Sequence, residues 1–266
     1  MSSSNPSWLR APFARLGAWR EQRALERRAI PEPLWQLTLA RLPFLGHLDA
    51  DELDELRRLC SLFLDQKTFT GAAGVEITDE LALCVAAQAC LPVIPLGLHY
   101  YRGFAGIVVH EDEVVAPRSE MDEDGIVHEY DEALTGQVDH LGMMVLNLVD
   151  LGTSAEAAGW AYNVVIHEFV HVIDAATGDI DGVPPLPDAA ARDHWIAVID
   201  AEYDAFCALV DDGVDTAIDP YGAEGVDEFF AVSAEAFFVD PLPFKREAPA
   251  LYELLAGYFE QDPAGP

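Results

Sequence analysis

His167-Glu168-Phe-Val-His171 holds two imidazoles and a carboxylate at a spacing that suits metal-assisted hydrolysis. On an α-helix, residues four apart stack one turn above the other on one face, so both histidines can reach a single ion. Glu168 stands about 100° further round, near enough to hold a water beside the metal without ligating it. Zinc would lower the pKa of that water toward about 7, and Glu168, as general base, would take its proton as it attacks a carbonyl. A random chain of this length shows the pattern about once in fifty. The surrounding elements must therefore decide between a site and two core histidines.

The motif helix is expected to run from Ser154 or Ala155 to Thr177, with Ser154 as its cap and Gly178 as its stop. Tyr162, Val165, Ile166, Phe169, Val172 and Ile173 make it apolar on most faces, so its polar residues must find partners in the interior. Asp174 shares the histidine face and either orients a ligand histidine or caps the helix end. A second helix over residues 227–238 is also too apolar to be exposed, yet it carries Glu228 and Glu235 on one face. Buried carboxylates are costly without a cation or strong donors. Catalytic zinc takes three protein ligands and leaves a position for water. Glu228 suits the third place best, with Glu235, His140 and His194 as alternatives. If Glu228 ligates, Glu235 becomes a supporting carboxylate behind the ligands. Tyr221, in a Pro-Tyr-Gly turn, either aims a hydroxyl at a developing oxyanion or packs as a turn aromatic.

The rest of the chain supplies the frame. Residues 31–98 read as a helical N-terminal lobe: Trp35, Leu39 and Leu42 lead to Pro43, and Leu53, Leu56, Leu59, Phe63 and Leu64 form a stripe after Asp49. Lys67 to Phe69 alternates like a strand, Gly71 and Gly74 mark a turn, and Thr78 caps a buried helix ending near Cys90. Residues 99–266 read as the catalytic lobe. Gly106–Val109 is a buried strand that Val114-Val115 continues or pairs with, and residues 117–136 are acidic and irregular, with a turn at Gly125. Met143–Val149 is a further strand, placed to receive extended substrate backbone. After turns at Gly182 and Pro184-Pro185, an amphipathic helix spans Trp195 to Val210. Pro241 and Pro243 end the 227–238 helix, and Leu251 to Phe259 close the chain.

The net charge of −32, from 47 acids against 15 bases, repels nucleic acid and anionic membranes. Residues 1–30 form the basic exception, an arm with six arginines and two glutamates that folds back on the acidic body, binds a partner or stays loosely helical. Cys60, Cys84, Cys90 and Cys207 show no C-x-x-C spacing, which suggests free thiols in a reducing cytoplasm. The first thirty residues lack the apolar segment of a secretory signal, and Pro92 and Pro95 break the most apolar stretch.

Several segments carry a resemblance that covers about Ile30 to Pro263. They are Leu42-Pro43, Phe63-Leu64-x-x-Lys67-x-Phe69, Ala86-Ala87-Gln88-Ala89-Cys90, Asn163 to His171 with Asp174, and Asp219-x-Tyr221 through Glu228 to Val232 with Ser233 and Glu235. The chain resembles the Mlc titration factor A family of zinc peptidases, whose zincin-like fold is shared with the anthrax lethal factor protease. The resemblance implies an α+β, mostly helical fold: a zincin-like lobe with a small β-sheet and the motif helix, plus a helical N-terminal lobe. It implies one zinc ion per chain held by His167, His171 and Glu228, with Glu168 as base and Tyr221 as the hydroxyl stabilising the transition state. It further implies aminopeptidase-type action on peptides. The family is named for sequestering a transcriptional repressor, so a binding role with secondary peptidase activity is the alternative. Where the family has Gly-Glu-Ala-Trp and Ser-Trp before the motif, this chain has Gly136-Gln137-Val138-Asp139 and Leu146-Asn147, so substrate specificity does not carry over.

Overall fold

The computed structural model of the chain describes residues 10–111, 115–121, 127–133, 142–148, 151 and 161–265. Helix α1 (Arg10–Arg27) folds back along α3 (Ala50–Gln66): Ala24 is buried, Arg27 makes a forked contact to Asp65 at 2.8 and 3.0 Å, and Arg58 of α3 reaches Glu21. Exposed ion pairs of this kind add little stability, so they orient the arm more than they hold it. Helix α2 (Glu32–Arg41) follows with Pro33 in its first turn, where a missing N–H costs nothing. The start of α3 is fixed by a capping box. Asp49 Oδ1 accepts the N–H groups of Asp51 and Glu52, and Glu52 Oε2 accepts that of Asp49 at 2.8 Å. Its stripe then buries Leu56, Leu59, Cys60 and Phe63.

Strand β1 (Thr68–Gly71) leads to α4 (Asp79–Cys90), whose first turn is capped by the Thr78 hydroxyl. Strands β2 (Gly106–His110) and β5 (Met143–Asn147) complete a parallel sheet of order β1-β2-β5, with Gly106 opposite Thr68 and Met143. A Cβ at Gly106 would sit 3.1 Å from Thr68 O and displace the movable end of Met143, so glycine lets the three strands close without adjustment. The acidic stretch expected to be irregular instead contains an antiparallel pair, β3 (Val115–Met121) and β4 (Val127–Ala133). Val115 therefore pairs with Ala133 and does not continue the β2 sheet. Backbone pairing makes this ribbon without any apolar alternation to announce it. Gly125 lies outside the described residues.

The motif helix α5 (Val164–Asp174) begins later than expected. Residues 161–163 are non-helical, so no continuous helix runs from residue 154, and the cap is Asn163, whose Oδ1 accepts Ile166 N–H at 3.0 Å. Ser154 itself lies outside the described residues. A 3₁₀ turn, Ala175–Thr177, extends α5 to Gly178, whose φ of 112° supplies the stop. Helices α6 (Ala189–Asp211), α7 (Val226–Val239), α8 (Pro241–Glu247) and α9 (Pro249–Phe259) follow. Pro241 both ends α7 and opens α8 at a position that needs no N–H.

One apolar core joins these elements. Phe169 of α5 is enclosed by Phe63 of α3 and by Tyr101 and Phe104 of the 98–104 segment, at ring separations of 5.6, 4.8 and 5.8 Å. Lys67 locks that segment from behind: its buried ammonium donates to the carbonyls of Tyr101 and Phe104 and lies 3.8 Å over the Phe104 ring. On the other side α5 packs on α7, whose Phe229, Phe230, Phe237 and Phe238 are fully buried. All four cysteines are free thiols. Among the described residues, no helix is long and apolar enough to cross a membrane.

Candidate metal centre

Helix α5 presents His167 and His171 one turn apart, with their Nε2 atoms 3.1 Å from each other. Helix α7 brings Glu228 across, placing Oε2 3.1 Å from His167 Nε2 and 3.4 Å from His171 Nε2. The three ligand atoms all lie within 4.8 Å of one another. Atoms bound about 2.0–2.2 Å from one tetrahedral ion stand about 3.3–3.6 Å apart, so this triangle is close to the size of a metal cradle. Glu228 Oε2 is buried and makes no well-directed hydrogen bond, although two imidazoles face it. A divalent cation would satisfy that oxygen and both Nε2 lone pairs together. Two imidazoles with one carboxylate form a donor set suited to such an ion.

The electrostatics agree with this geometry. Burial works to raise the Glu228 carboxyl, but the facing imidazoles of His167 and His171 more than reverse it and hold it well below the usual carboxylate range. Burial likewise opposes charge on His167, yet the carboxylates of Glu228 and Glu235 hold it well above the usual imidazole range. Glu168 is buried beside the triangle, and loss of water pushes its carboxyl up to about 7 against the pull of the two histidines.

Glu235 lies one face-repeat beyond Glu228 on α7 and does not join the triangle. Its Oε1 meets His167 Nδ1 at 2.8 Å, while its Oε2 accepts the backbone N–H of Asn163. That contact fixes which imidazole nitrogen keeps its proton and leaves Nε2 to face Glu228. Asp174 behaves differently. It is fully buried, but its Oδ2 accepts Gly182 N–H at 2.7 Å, and His171 Nδ1 has no hydrogen-bond partner among the described residues. Burial raises the Asp174 carboxyl to about 6. His194 sits exposed on α6, away from the triangle, and His140 lies outside the described residues.

Tyr221 stands in a 3₁₀ turn, Pro220–Glu224, with its ring 6.2 Å from that of His167 and 48% of its surface exposed. Asp219 Oδ1 caps the turn through Tyr221 N–H at 2.9 Å. Gly222 lets the turn seat on α7, since a Cβ there would lie 2.6 Å from Val232 Cγ2 and 3.3 Å from Phe229 Cα. Partial burial, then the charges of Glu228 and Glu224, push the phenol up to about 12, so it keeps its proton as a donor.

Sequence reasoning did not assign roles to Asn163 or Gln88, which stand behind Glu235. Gln88 Oε1 accepts Asn163 Nδ2 at 2.8 Å. The available signal was a single amide among Ala86, Ala87, Ala89 and Cys90 on a buried helix, which had to find a partner.

A family model described as glucose-regulated metallo-peptidase M90 matches residues 16–260. The chain is 33% identical over 232 residues to a Mlc titration factor A of Klebsiella pneumoniae strain 342, covering 86% of both chains. It is 33% identical over 249 residues to a Mlc titration factor A of Escherichia coli strain SMS-3-5, covering 92% of this chain and 91% of the other. An uncharacterised protein of Synechocystis is also 33% identical, over 247 residues, covering 92% of this chain and 89% of its own. With the family model spanning nearly the whole fold and these relatives matched along most of their length, the chain belongs to the glucose-regulated metallopeptidase M90 family.

Proposed function

We propose that the chain is a zinc-dependent peptidase of aminopeptidase type, with His167, His171 and Glu228 as ligands, Glu168 as general base and Tyr221 as oxyanion donor. The observation that carries this reading is the convergence of Glu228 Oε2 on both Nε2 atoms, with the Glu168 carboxyl buried alongside. Zinc held there would polarise the scissile carbonyl and acidify a water beside it. Glu168 takes the proton of the attacking water and delivers it to the departing amine. Burial holds its carboxyl at about 7, which strengthens it as the base for the water proton, and the departing amine is basic enough to take that proton from it. Tyr221, kept protonated, donates its O–H to the oxygen that gains charge. Among the described residues β5 is an end strand of the three-stranded sheet, and extended substrate backbone would align along it. Glu224 and Asp227 lie close enough to raise the Tyr221 phenol, and their charges would favour a substrate carrying a free amino terminus. The four free thiols suit a reducing, cytoplasmic setting.

The test is the variant Glu168→Gln. It should retain about one zinc per chain and lose about 10²–10⁴-fold in kcat on amino-terminal chromogenic peptides. Full activity in that variant would overturn the mechanism. The name carried by the relatives favours a second reading, titration of a transcriptional repressor. Capture of such a repressor by metal-free Glu168→Gln protein would support it, and loss of capture on metal removal would count against an independent titration role.

A further inference from the structure

We propose that Gln88, on α4, is a positioning residue for the metal site, acting through Asn163 and Glu235 on His167. The inference rests on the metallopeptidase reading above. Gln88 Nε2 donates to Cys84 O at 3.0 Å, one turn back on its own helix. That bond uses the donor end of the amide and turns Oε1 outward, where it accepts Asn163 Nδ2 at 2.8 Å. With Nδ2 committed, Asn163 has only Oδ1 to offer the first turn of α5, and Oδ1 accepts Ile166 N–H at 3.0 Å. The backbone N–H of the same Asn163 meets Glu235 Oε2, and Glu235 Oε1 meets His167 Nδ1 at 2.8 Å.

The side-chain amides of Gln88 and Asn163 thus each have one orientation that satisfies their neighbours, and the orientation starts at Gln88. A flipped Gln88 would put its NH₂ against that of Asn163. An apolar residue at position 88 would free the Asn163 amide to rotate, weakening both the cap and the aim of the N–H that holds Glu235. Carboxylate support of a ligand histidine commonly contributes about 10–100-fold in metal affinity, and a residue two contacts further out should contribute less.

Zinc affinity of the full-length protein, by competition with a chromogenic chelator, measures the effect, and metal-free Tm is followed in parallel. Gln88→Met matches the length and lacks the acceptor, so its zinc Kd should rise about 5–10-fold. Gln88→Glu keeps an acceptor for Asn163 Nδ2 and, protonated in this buried place, a donor for Cys84 O. It should lose clearly less zinc affinity than Gln88→Met, a rescue that a purely structural role would not give. Asn163→Ser keeps a capping oxygen but loses Nδ2. It should weaken zinc binding, and Gln88→Met should then add nothing. A wild-type Kd in Gln88→Met overturns the proposal, as do equal losses in the Met and Glu variants, or additive losses in the double variant. Should Gln88→Met fail to fold, a clearly larger loss of zinc affinity in Asn163→Ser than in Gln88→Glu is expected, and the reverse overturns it. Wild-type protein that binds no zinc sinks the metal reading itself; zinc-binding wild type with an unaltered Gln88→Met sinks this inference alone.

Discussion

At the amino-terminal end of α5, His167 is gripped through its ring: Glu235 holds Nδ1, Asn163 holds Glu235, and Gln88 holds Asn163. At the carboxy-terminal end, His171 Nδ1 has no such grip among the described residues, and Asp174, one turn further on, is turned onto the backbone of Gly182. Gly182 has a φ of 75° and is pressed against α7, where a Cβ would lie 2.8 Å from Val226 O, and its own carbonyl accepts Trp195 Nε1 at 2.8 Å. One end aims a ligand by directed side-chain hydrogen bonds. The other fixes the distance between α5 and the first turn of α7, two residues before Glu228, by packing and backbone contacts. The first arrangement sets ring orientation and protonation, and the second sets helix spacing.

Substitutions can separate the two kinds of support. The largest effect belongs to Glu228, where the two ends meet. Glu228→Gln leaves the fold intact but replaces the one oxygen that faces both imidazoles, and zinc affinity should fall by more than about 100-fold in equilibrium dialysis. Near-normal affinity would mean that the metal is held elsewhere. Next comes a direct contrast between the ends. Glu235→Gln should raise the zinc Kd about 10-fold with little change in stability. Its one oxygen can stay on Asn163 N–H, while its NH₂ turns against His167 Nδ1 and disturbs the aim of that ring. Asp174→Ala should do the opposite. It leaves Gly182 N–H buried without an acceptor, which costs about 1–3 kcal/mol in chemical denaturation, while zinc affinity changes less than for Glu235→Gln. If Asp174→Ala weakened zinc binding more than Glu235→Gln did, the division between aiming and spacing would collapse.

The same division explains which parts were legible in the sequence. His167, Glu168 and His171 could be placed together because helical periodicity alone brings positions four apart onto one face. Glu228 and Glu235 could be found because a carboxylate in an apolar helix demands a partner. Neither argument reaches a contact whose partner is a backbone group. Asp174 read as a possible histidine support because the three-residue spacing allowed it, yet Gly182 N–H, presented by a left-handed turn, takes the carboxylate. The start of α5 was misplaced for a related reason. Ser154 is a good cap by residue type, but Asn163 is the residue held extended at φ −154° by contacts to Gln88 and Glu235, 75 and 72 positions away. The β3–β4 ribbon pairs through its backbone in an acidic stretch with no alternating pattern.

The smallest expected effect concerns a support common to both ends, and it should move neither ligand. Lys67 anchors Tyr101 and Phe104, which enclose Phe169 at the middle of α5. Among the described residues its ammonium has no carboxylate partner in hydrogen-bond reach, and burial pulls its pKa from 10.5 down to about 8. The folded state therefore releases this proton more readily than the unfolded chain does. Below about pH 8 both states are charged and the full cost of burying the ammonium is present. Between about 8 and 10.5 the unfolded chain binds more protons, so this residue's contribution to stability rises with pH. Lys67→Met removes that contribution and keeps the apolar stem. The stability of wild type relative to Lys67→Met should thus increase by about 3 kcal/mol between pH 7.5 and 10.5, read from paired denaturation curves of metal-free protein. Zinc affinity at neutral pH should stay within about twofold, because helix spacing and ring aim are both set elsewhere. A flat difference across that pH range would show that the ammonium is solvated in the folded protein. A large loss of zinc affinity would show that the middle of α5, and not only its two ends, positions the ligands.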